Sequence, residues 1–520
     1  MNEPLLQAFQ QVLLSPEVLA IIAASALYGV FMGAMPGLTA TMSVALFIPL
    51  TYWLDPVPAL AGIVTMVACA IFAGDIPTTL LRIPGTPASA AYVDDAYSLT
   101  RQGKSDYALG VALISSVVGG LFGAVVLIAL GHQLARVATV FSIAEYFWLY
   151  LLGLSSAVIV SRGSLSKASL GMLIGLLLAT VGLSAVHTEA RFTFGQPQLF
   201  QGINFIPAMI GLFGFSEVLN NLIGGSAGAT MQPPLARARA RTFAARFLIA
   251  PIVDIIKPAA GILKSRVRHT LRSSAIGSLV GMLPGAGADI ASWVSLAASK
   301  RASKTPEEYG EGSVDGISDA TAANSSALAG SWIPALVFGI PGDSVTAIVI
   351  GVLLMKNLNP GPDIFVEQAG LVYSIYLIFI IANLVLLPVG LLAIKGATRV
   401  VRIPQRILMP IILLLCIVGA YAINSSNFDV GIMLAMGLVG FGLERFGVPL
   451  GPVVLGIILG GPLEERFIQI LTATDGNLMA FFGRPAAAGL GVLCIGLWIW
   501  AIYASRKSKL PADFSPTVNE

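Results

Sequence analysis

The sequence predicts an all-α polytopic membrane protein built from two inverted-topology repeats, each with helices that break or re-enter at Pro-Gly motifs. Three observations predict it. Hydrophobic residues make up 56% of the chain and charged residues 11%, whereas a soluble globular domain carries roughly 25% charged residues. Residues 18–54, 107–135, 368–394, 407–428 and 485–505 contain no Asp, Glu, Lys or Arg, and each is as long as the roughly 20 apolar residues of a spanning helix. Two phrases also occur twice, in the same order. GVFMGAMPG at 29–37 and GSLVGMLPG at 277–285 share Gly-x-x-x-Gly-x-x-Pro-Gly. GDIPTTLLRIPGTP at 74–87 and GSWIPALVFGIPGDS at 330–344 each place an Ile-Pro-Gly seven residues after an Ile-Pro, from Pro77 to Pro84 and from Pro334 to Pro341.

Taken along the chain, positive charge sorts the loops, because Lys and Arg concentrate on the cytoplasmic side. Residues 1–223 form an N-terminal repeat that starts outside, and MNEPLLQAFQQ lacks the basic start of a cleavable leader. Within it Arg101, Lys104, Arg162 and Lys167 fall inside, while His132 to Arg136 and the 187–202 loop fall outside. Residues 224–272 are a basic cytoplasmic linker, with Lys and Arg from Arg237 to Arg272 against one acid, Asp254. Residues 273–484 form the C-terminal inverted repeat. Lys300, Arg301, Lys304, Lys395, Arg399, Arg402, Arg406 and Arg445 mark its inner loops; 358–367 and Glu464–Glu465 lie outside. Residues 485–505 add one transmembrane helix, and 506–520 a polar cytoplasmic tail. About 12–15 membrane segments result at the usual span length. The first copy of the motif is then entered from outside and the second from inside.

Several chemistries are excluded. Cys69, Cys416 and Cys494 lie far apart in apolar stretches, and His132, His187 and His269 are equally scattered, so neither a disulfide framework nor a metal site is expected. No Gly-x-x-x-x-Gly-Lys-Ser/Thr loop is present for ATP. No cofactor and no nucleic-acid partner is expected.

The repeated phrases carry the candidate site. Proline removes a backbone donor and glycine permits left-handed or close-packed backbone. An opened helix in hydrocarbon must have its freed groups satisfied by protein, water or ligand, and paired breaks in two inverted halves point to a midplane binding site. Freed amides at helix N-termini attract carboxylate. The candidate substrate residues are Gly37, Thr39, Pro84, Gly85, Thr86, Gly285, Ala286, Asn324, Ser325, Gly342, Asp343 and Ser344. Asp75, Asp289 and Asp343 are candidates for coupling a cation, Na⁺ or H⁺, with carbonyls at Gly37, Gly85, Gly285 and Gly342 as candidate Na⁺ ligands. Plainer roles stand beside these. Gly-x-x-x-Gly also serves close helix packing, the aspartates also serve as helix caps, and Arg82 could meet substrate or a lipid headgroup. Glu217, with Asn220 and Asn221, reads as packing.

The paired motifs, IPGTPAS, GIPGDS, DDAYSLTRQGK, EEYGEGSVDG with its Asn-bearing helix, and NPGPDIF together resemble the large membrane subunit of the tripartite tricarboxylate transporters, over residues 15–505. That resemblance implies a bacterial inner-membrane carrier working with a small membrane subunit and a periplasmic solute-binding protein, and leaves room for a homodimer of the large subunit. It implies uptake of organic di- or tricarboxylates driven by a cation gradient. It carries over to Pro36, Gly37, Pro84, Gly85, Thr86, Pro284, Gly285, Asn324, Pro341 and Gly342. Ala320-Thr321 and Asn324-Ser325 depart from the Pro-Glu and Asn-Asn common in relatives, which argues against citrate itself. The rival readings are a passive anion channel and, more remotely, an intramembrane enzyme; neither motif contains the histidine that a nucleophile–base pair would use.

Overall fold

The computed structural model describes residues 2–35, 38–161, 164–184, 189–223, 255–285, 287–400 and 405–507. The expectations for Pro36, Gly37, Arg162, His187, Ala286, Arg402, most of the basic linker (224–254) and the tail from 508 lie outside them. In the first half the helices are α1 (Asn2–Leu13), α2 (Pro16–Gly33), α3 (Ala40–Tyr52), α4 (Pro56–Ala73), α5 (Asp75–Leu81), α6 (Val93–Arg101) and α7 (Ser105–Ala138). They continue as α8 (Ile143–Val160), α9 (Leu165–Ala179) and α10 (Phe205–Ile223), the last with a π turn at Ile210–Phe215. The second half holds α11 (Lys257–Ser265), α12 (Val267–Gly281), α13 (Gly287–Ala302), α14 (Val314–Phe338) and α15 (Ser344–Met355). It ends with α16 (Ala369–Val400), α17 (Gln405–Asn424), α18 (Asn427–Arg445), α19 (Leu450–Ala473) and α20 (Pro485–Lys507). Helix α11 and the start of α12 occupy the end of the segment read as linker.

Among the described residues, 8 helices are long and apolar enough to cross a membrane, and Ala40–Tyr52, Leu165–Ala179, Ser344–Met355 and Leu408–Asn424 are shorter apolar helices. Helix α14 is too polar to count as an apolar span, yet it is buried from Gly316 to Val337. Protein rather than lipid surrounds it, which is how a helix carrying Asp319, Asn324 and Ser325 is tolerated. A two-residue antiparallel hairpin, Gly182–Leu183 with Ala190–Arg191, is the exception to helix among the described residues.

The chain forms two compact units, residues 1–140 with 203–442 and residues 141–202 with 443–520. Each unit draws on both sequence halves. In the second unit α8 and α9 pack on α19, and α20 on α8. Trp148 Nε1 donates to the Phe481 carbonyl at 2.8 Å, and Arg191 grips Glu464 through two hydrogen bonds of 2.6 and 3.0 Å. Arg191 lies in the short hairpin and Glu464 within α19, and the charge pattern assigns both to one side of the membrane.

The first unit is built twice over. Helix α2 lies on α4 where Gly29 and Gly33 face Met66 and Ala70, and α12 lies on α14 where Gly277 and Gly281 face Ala323 and Ala327. A methyl group at any of the four glycines would meet the facing backbone carbonyl. The packing use of Gly-x-x-x-Gly is therefore realised in both halves. The register is the same too, since the facing residues keep one offset relative to the Ile-Pro-Gly phrases. The halves then interlock: α4 packs on α16, α14 on α7. Gly119 and Gly123 of α7 close onto the Ala322 and Ser326 backbone.

Helices α2 and α12 are entered from opposite ends of α7. Gly110, near the start of α7, contacts Ile255 and Ala259, just before α12. Gly131, near its far end, contacts Tyr376 and Phe365; one turn before Tyr376, Gly370 and Ser374 meet Gln7 and Gln11 of α1, just before α2.

Candidate functional site

The two Ile-Pro-Gly phrases build the same chain reversal. Pro334 lies inside α14 and Pro77 in the first turn of α5, which follows α4 after Gly74, and both helices stop just before the second proline. Both helices close with the same bond of a helix C-terminus, from an amide to the carbonyl six residues before it. The Ile83 N–H donates to the Pro77 carbonyl at 3.4 Å, and the Ile340 N–H to the Pro334 carbonyl at 3.2 Å. Both helices end on a left-handed residue at the same position, Arg82 (φ 60°) and Gly339 (φ 67°). Glycine adopts that conformation without penalty, and arginine does not. Arg82 donates two hydrogen bonds to Asp94, at 2.7 and 3.0 Å. Both side chains are more than half exposed, and such a pair contributes little. Arg82→Gly is accordingly expected to leave folding intact and to raise stability by up to ~1 kcal/mol, read as a higher apparent Tm in detergent; a clearly lower Tm would show that the ion pair dominates.

After each reversal the next helical element is capped reciprocally. In the first half the Thr86 N–H donates to Ser89 Oγ and the Ser89 N–H to Thr86 Oγ1, both at 3.1 Å. In the second, the Asp343 N–H donates to Thr346 Oγ1 at 2.9 Å and the Thr346 N–H to Asp343 Oδ1 at 2.8 Å. Thr86 and Asp343 thus hold equivalent places, one with a neutral hydroxyl and one with a carboxylate. Thr78 completes the first reversal: its hydroxyl donates to the Gly74 carbonyl at 2.7 Å and accepts the Gly85 N–H at 3.1 Å. Gly85 rests against the Gly74 backbone. Gly342, its counterpart, would with a methyl group come within 2.6 Å of Ser331 Cβ and 2.7 Å of the Gly281 carbonyl.

The remaining candidates distribute around these reversals. Thr39 caps α3, accepting from the Met42 N–H at 3.1 Å. Gly285 and Gly287 turn the chain into α13 with positive φ (79° and 62°). A methyl on Gly287 would touch Asp343 Cβ at 3.0 Å, so Gly281, Gly287, Gly342 and Asp343 converge. Ser344 opens α15, and Pro84 lies in the first reversal. Asp289 sits half-buried in the first turn of α13. Asn324 and Ser325 are buried in the middle of α14, and Ser325 Oγ has no hydrogen-bond partner among the described residues. Ser326, the next residue, bonds Ser278 Oγ and the Ser274 carbonyl of α12, which is packing. Asp75 opens α5 and is 2% exposed; Tyr92, 1% exposed, donates its hydroxyl to Asp75 Oδ1. The first reversal touches the second half, since Trp293 Nε1 of α13 donates to the Pro87 carbonyl at 3.3 Å.

Two polar clusters went unseen in the sequence. Asp95 Oδ1 accepts from the amides of Gly310, Gly312 and Ser313 at 2.7, 3.0 and 2.8 Å, joining α6 to the loop before α14. Burial, the largest influence, holds this carboxyl above its ordinary range against those amides. Asp319, fully buried, pairs with Arg272 at 3.2 Å and accepts from Ser299 at 2.6 Å, while Arg266 pairs with Asp315. Arg266 and Arg272 counted only as linker charge in the sequence. Their partners lie about 50 residues onward, a separation for which local spacing gives no signal.

The family model described as the tripartite tricarboxylate transporter TctA family matches residues 19–455. The chain is 33% identical over 488 residues, 93% of both chains, to an uncharacterized 52.8 kDa protein in the TAR-I ttuC' 3' region of Agrobacterium vitis. It is 36% identical over 236 residues, 45% of this chain and 96% of the other, to an uncharacterized protein in the TAR-II ttuC' 3' region of the same organism. No solved structure matches.

Proposed function

The chain belongs to the tripartite tricarboxylate transporter TctA family, a family of multi-pass membrane transporters, and from that premise we propose that it performs cation-coupled secondary uptake of organic di- or tricarboxylates across the bacterial inner membrane. The observation that carries this reading is the pair of chain reversals built to one plan, with the same register, left-handed stop and reciprocal cap. Paired breaks of this kind are where transporters hold substrate and co-ion. Entry into α2 and α12 from opposite ends of α7 supports the inverted topology, with the N-terminus periplasmic and the C-terminus cytoplasmic.

Thr86 and its neighbours suit the anion better than the second reversal does. At α15 the Asp343 carboxylate already occupies the helix N-terminus, where a second negative charge is disfavoured, whereas Thr86 brings no charge to its reversal. Asn324, Ser325 and Ser344 remain candidate contacts. Na⁺ or H⁺ couples through Asp75, Asp289 or Asp343. A periplasmic binding protein delivers the substrate, and a small membrane subunit completes the carrier. The moving body is not a sequence half, because the glycine-tight contact of α7 with α14 holds the two halves together.

Proteoliposomes holding this chain and its small partner, with the binding protein added outside, test the proposal. Labelled citrate, succinate and an aromatic carboxylate are offered with a Na⁺ gradient, a proton gradient or neither. Concentrative, binding-protein-dependent uptake under one gradient is expected. Equilibration without accumulation would instead make the protein an anion channel.

A further inference from the structure

We propose that the co-ion is a proton, that Asp75 carries it with Tyr92 as its hydrogen-bond partner, and that Asp343 is a helix cap rather than a coupling group. The inference rests on the transport reading and sharpens it by dividing the aspartates. Superposing the two phrases by their Ile-Pro-Gly places Asp75 opposite Trp332 and Thr86 opposite Asp343. Asp343 therefore does what Thr86 does: its carboxylate is committed to the Thr346 amide and hydroxyl, both at 2.8 Å. Asp75 has no such duty. The N-cap of α5 is Gly74, and no side chain caps the helix.

Asp75 is 2% exposed, and the hydrogen bond it accepts comes from the Tyr92 phenol. The elements packed on α5 bring further titratable groups: Cys69 from α4, Asp94, Asp95, Tyr97 and Arg101 from α6, and Asp106 and Tyr107 from α7. Arg82, at the end of α5, is taken by Asp94, and Asp95 by the amides before α14. Among the described residues no basic side chain reaches ion-pair distance of Asp75. A carboxylate charge buried without a basic partner costs several kcal/mol, and a bound proton removes that cost. A hard metal cation in its place would draw several oxygen ligands onto the carboxylate, where a single phenol stands.

The location gives the coupling a physical basis. Asp75 follows Gly74, against whose backbone Gly85 is packed, so it adjoins the reversal proposed for the anion. An ionised Asp75 repels an incoming carboxylate, and a protonated one does not. Proton and anion then bind together by linkage. In the step, a proton from the aqueous side joins an Asp75 carboxylate oxygen. The Tyr92 hydroxyl keeps its own proton and remains the donor, and Asp75 releases the proton to the other side after the anion leaves.

Infrared difference spectra of the purified chain, titrated between acid and alkaline pH, test the site without any substrate. Among the C=O bands of the 27 Asp and Glu side chains, one titrating component is expected in the wild type and in Asp343→Asn that is missing from Asp75→Asn. Tyr92→Phe keeps the component but moves its midpoint to higher pH, because the phenol hydrogen bond favours the ionised form. A wild-type spectrum without such a component, or the component unchanged in Asp75→Asn, overturns the assignment. In proteoliposomes, Asp75→Asn is expected to lose proton-driven citrate or succinate accumulation by about tenfold or more, within the usual range of coupling between sites. Wild-type accumulation driven by Na⁺ alone overturns the proton while leaving the transporter reading standing. Absence of wild-type accumulation under any gradient overturns that reading and the coupling role with it, whatever the spectra show.

Discussion

Gly33→Ala and Gly281→Ala are each expected to lower the apparent Tm sharply and to reduce the yield of monodisperse protein in detergent. At both positions the added methyl runs into a backbone carbonyl, Ala70 and Ala327 respectively, and backbone cannot rotate away as a side chain could. Relief requires the helices to separate, which loosens every contact along α2–α4 or α12–α14. Overpacking of this kind costs about 1–3 kcal/mol or more, against a gain of at most ~1 kcal/mol from the better helix propensity of alanine. Gly431→Ala is the control, because no atom lies within 4 Å of the methyl it would add. Wild-type Tm in both Gly33→Ala and Gly281→Ala would refute the close approach. The same geometry governs how the reversals can be probed. Gly85→Val and Gly342→Val would force apart Gly74 and Gly85, or Gly342 and Ser331, so lost uptake in them reports packing before it reports ligand contact.

Asp95→Ala is the second large effect. Its carboxylate is the acceptor for three amides of the 310–313 loop, and Ser98 of the same helix donates to the Glu311 carbonyl at 2.7 Å. Removing the acceptor leaves amides unsatisfied in a half-buried setting, at about 1–3 kcal/mol for each group that water cannot reach. The expected loss is several kcal/mol, with Asp95→Asn intermediate because one acceptor oxygen remains. Apparent unfolding midpoints at a fixed scan rate measure it, as large membrane proteins unfold irreversibly. Equal midpoints for Asp95→Ala and wild type would mean that the loop finds other partners.

Much of the fold was legible before any coordinates. Hydropathy runs locate α7, α16, α17 and α20, and the duplicated phrases locate the reversals at Pro84-Gly85 and Pro341-Gly342. The helix stops themselves lie two residues before each Pro-Gly, at left-handed Arg82 and Gly339, where the Ile83 and Ile340 amides reach back to the Pro77 and Pro334 carbonyls. The residues that cap the reversals, Ser89 and Thr346, follow a three-residue spacing after Thr86 and Asp343, a signal the sequence carried but that looked like ordinary hydroxyl content.

By itself the sequence determined that the chain lies in a membrane, that two phrases recur in it, and that the chain reverses at the Pro-Gly of the second phrase in both copies, since apolar length, repetition and backbone chemistry are local properties. Only the tertiary structure decided what each candidate side chain is for. Thr78 and Asp343 are occupied by backbone groups, Asp95 and Asp319 hold α6 and α12 to distant segments, and Asp75 is left with a phenol. Whether a carboxylate caps, bridges or carries a proton depends on which donors the fold brings within about 3 Å, and those donors come from elements far away in the chain.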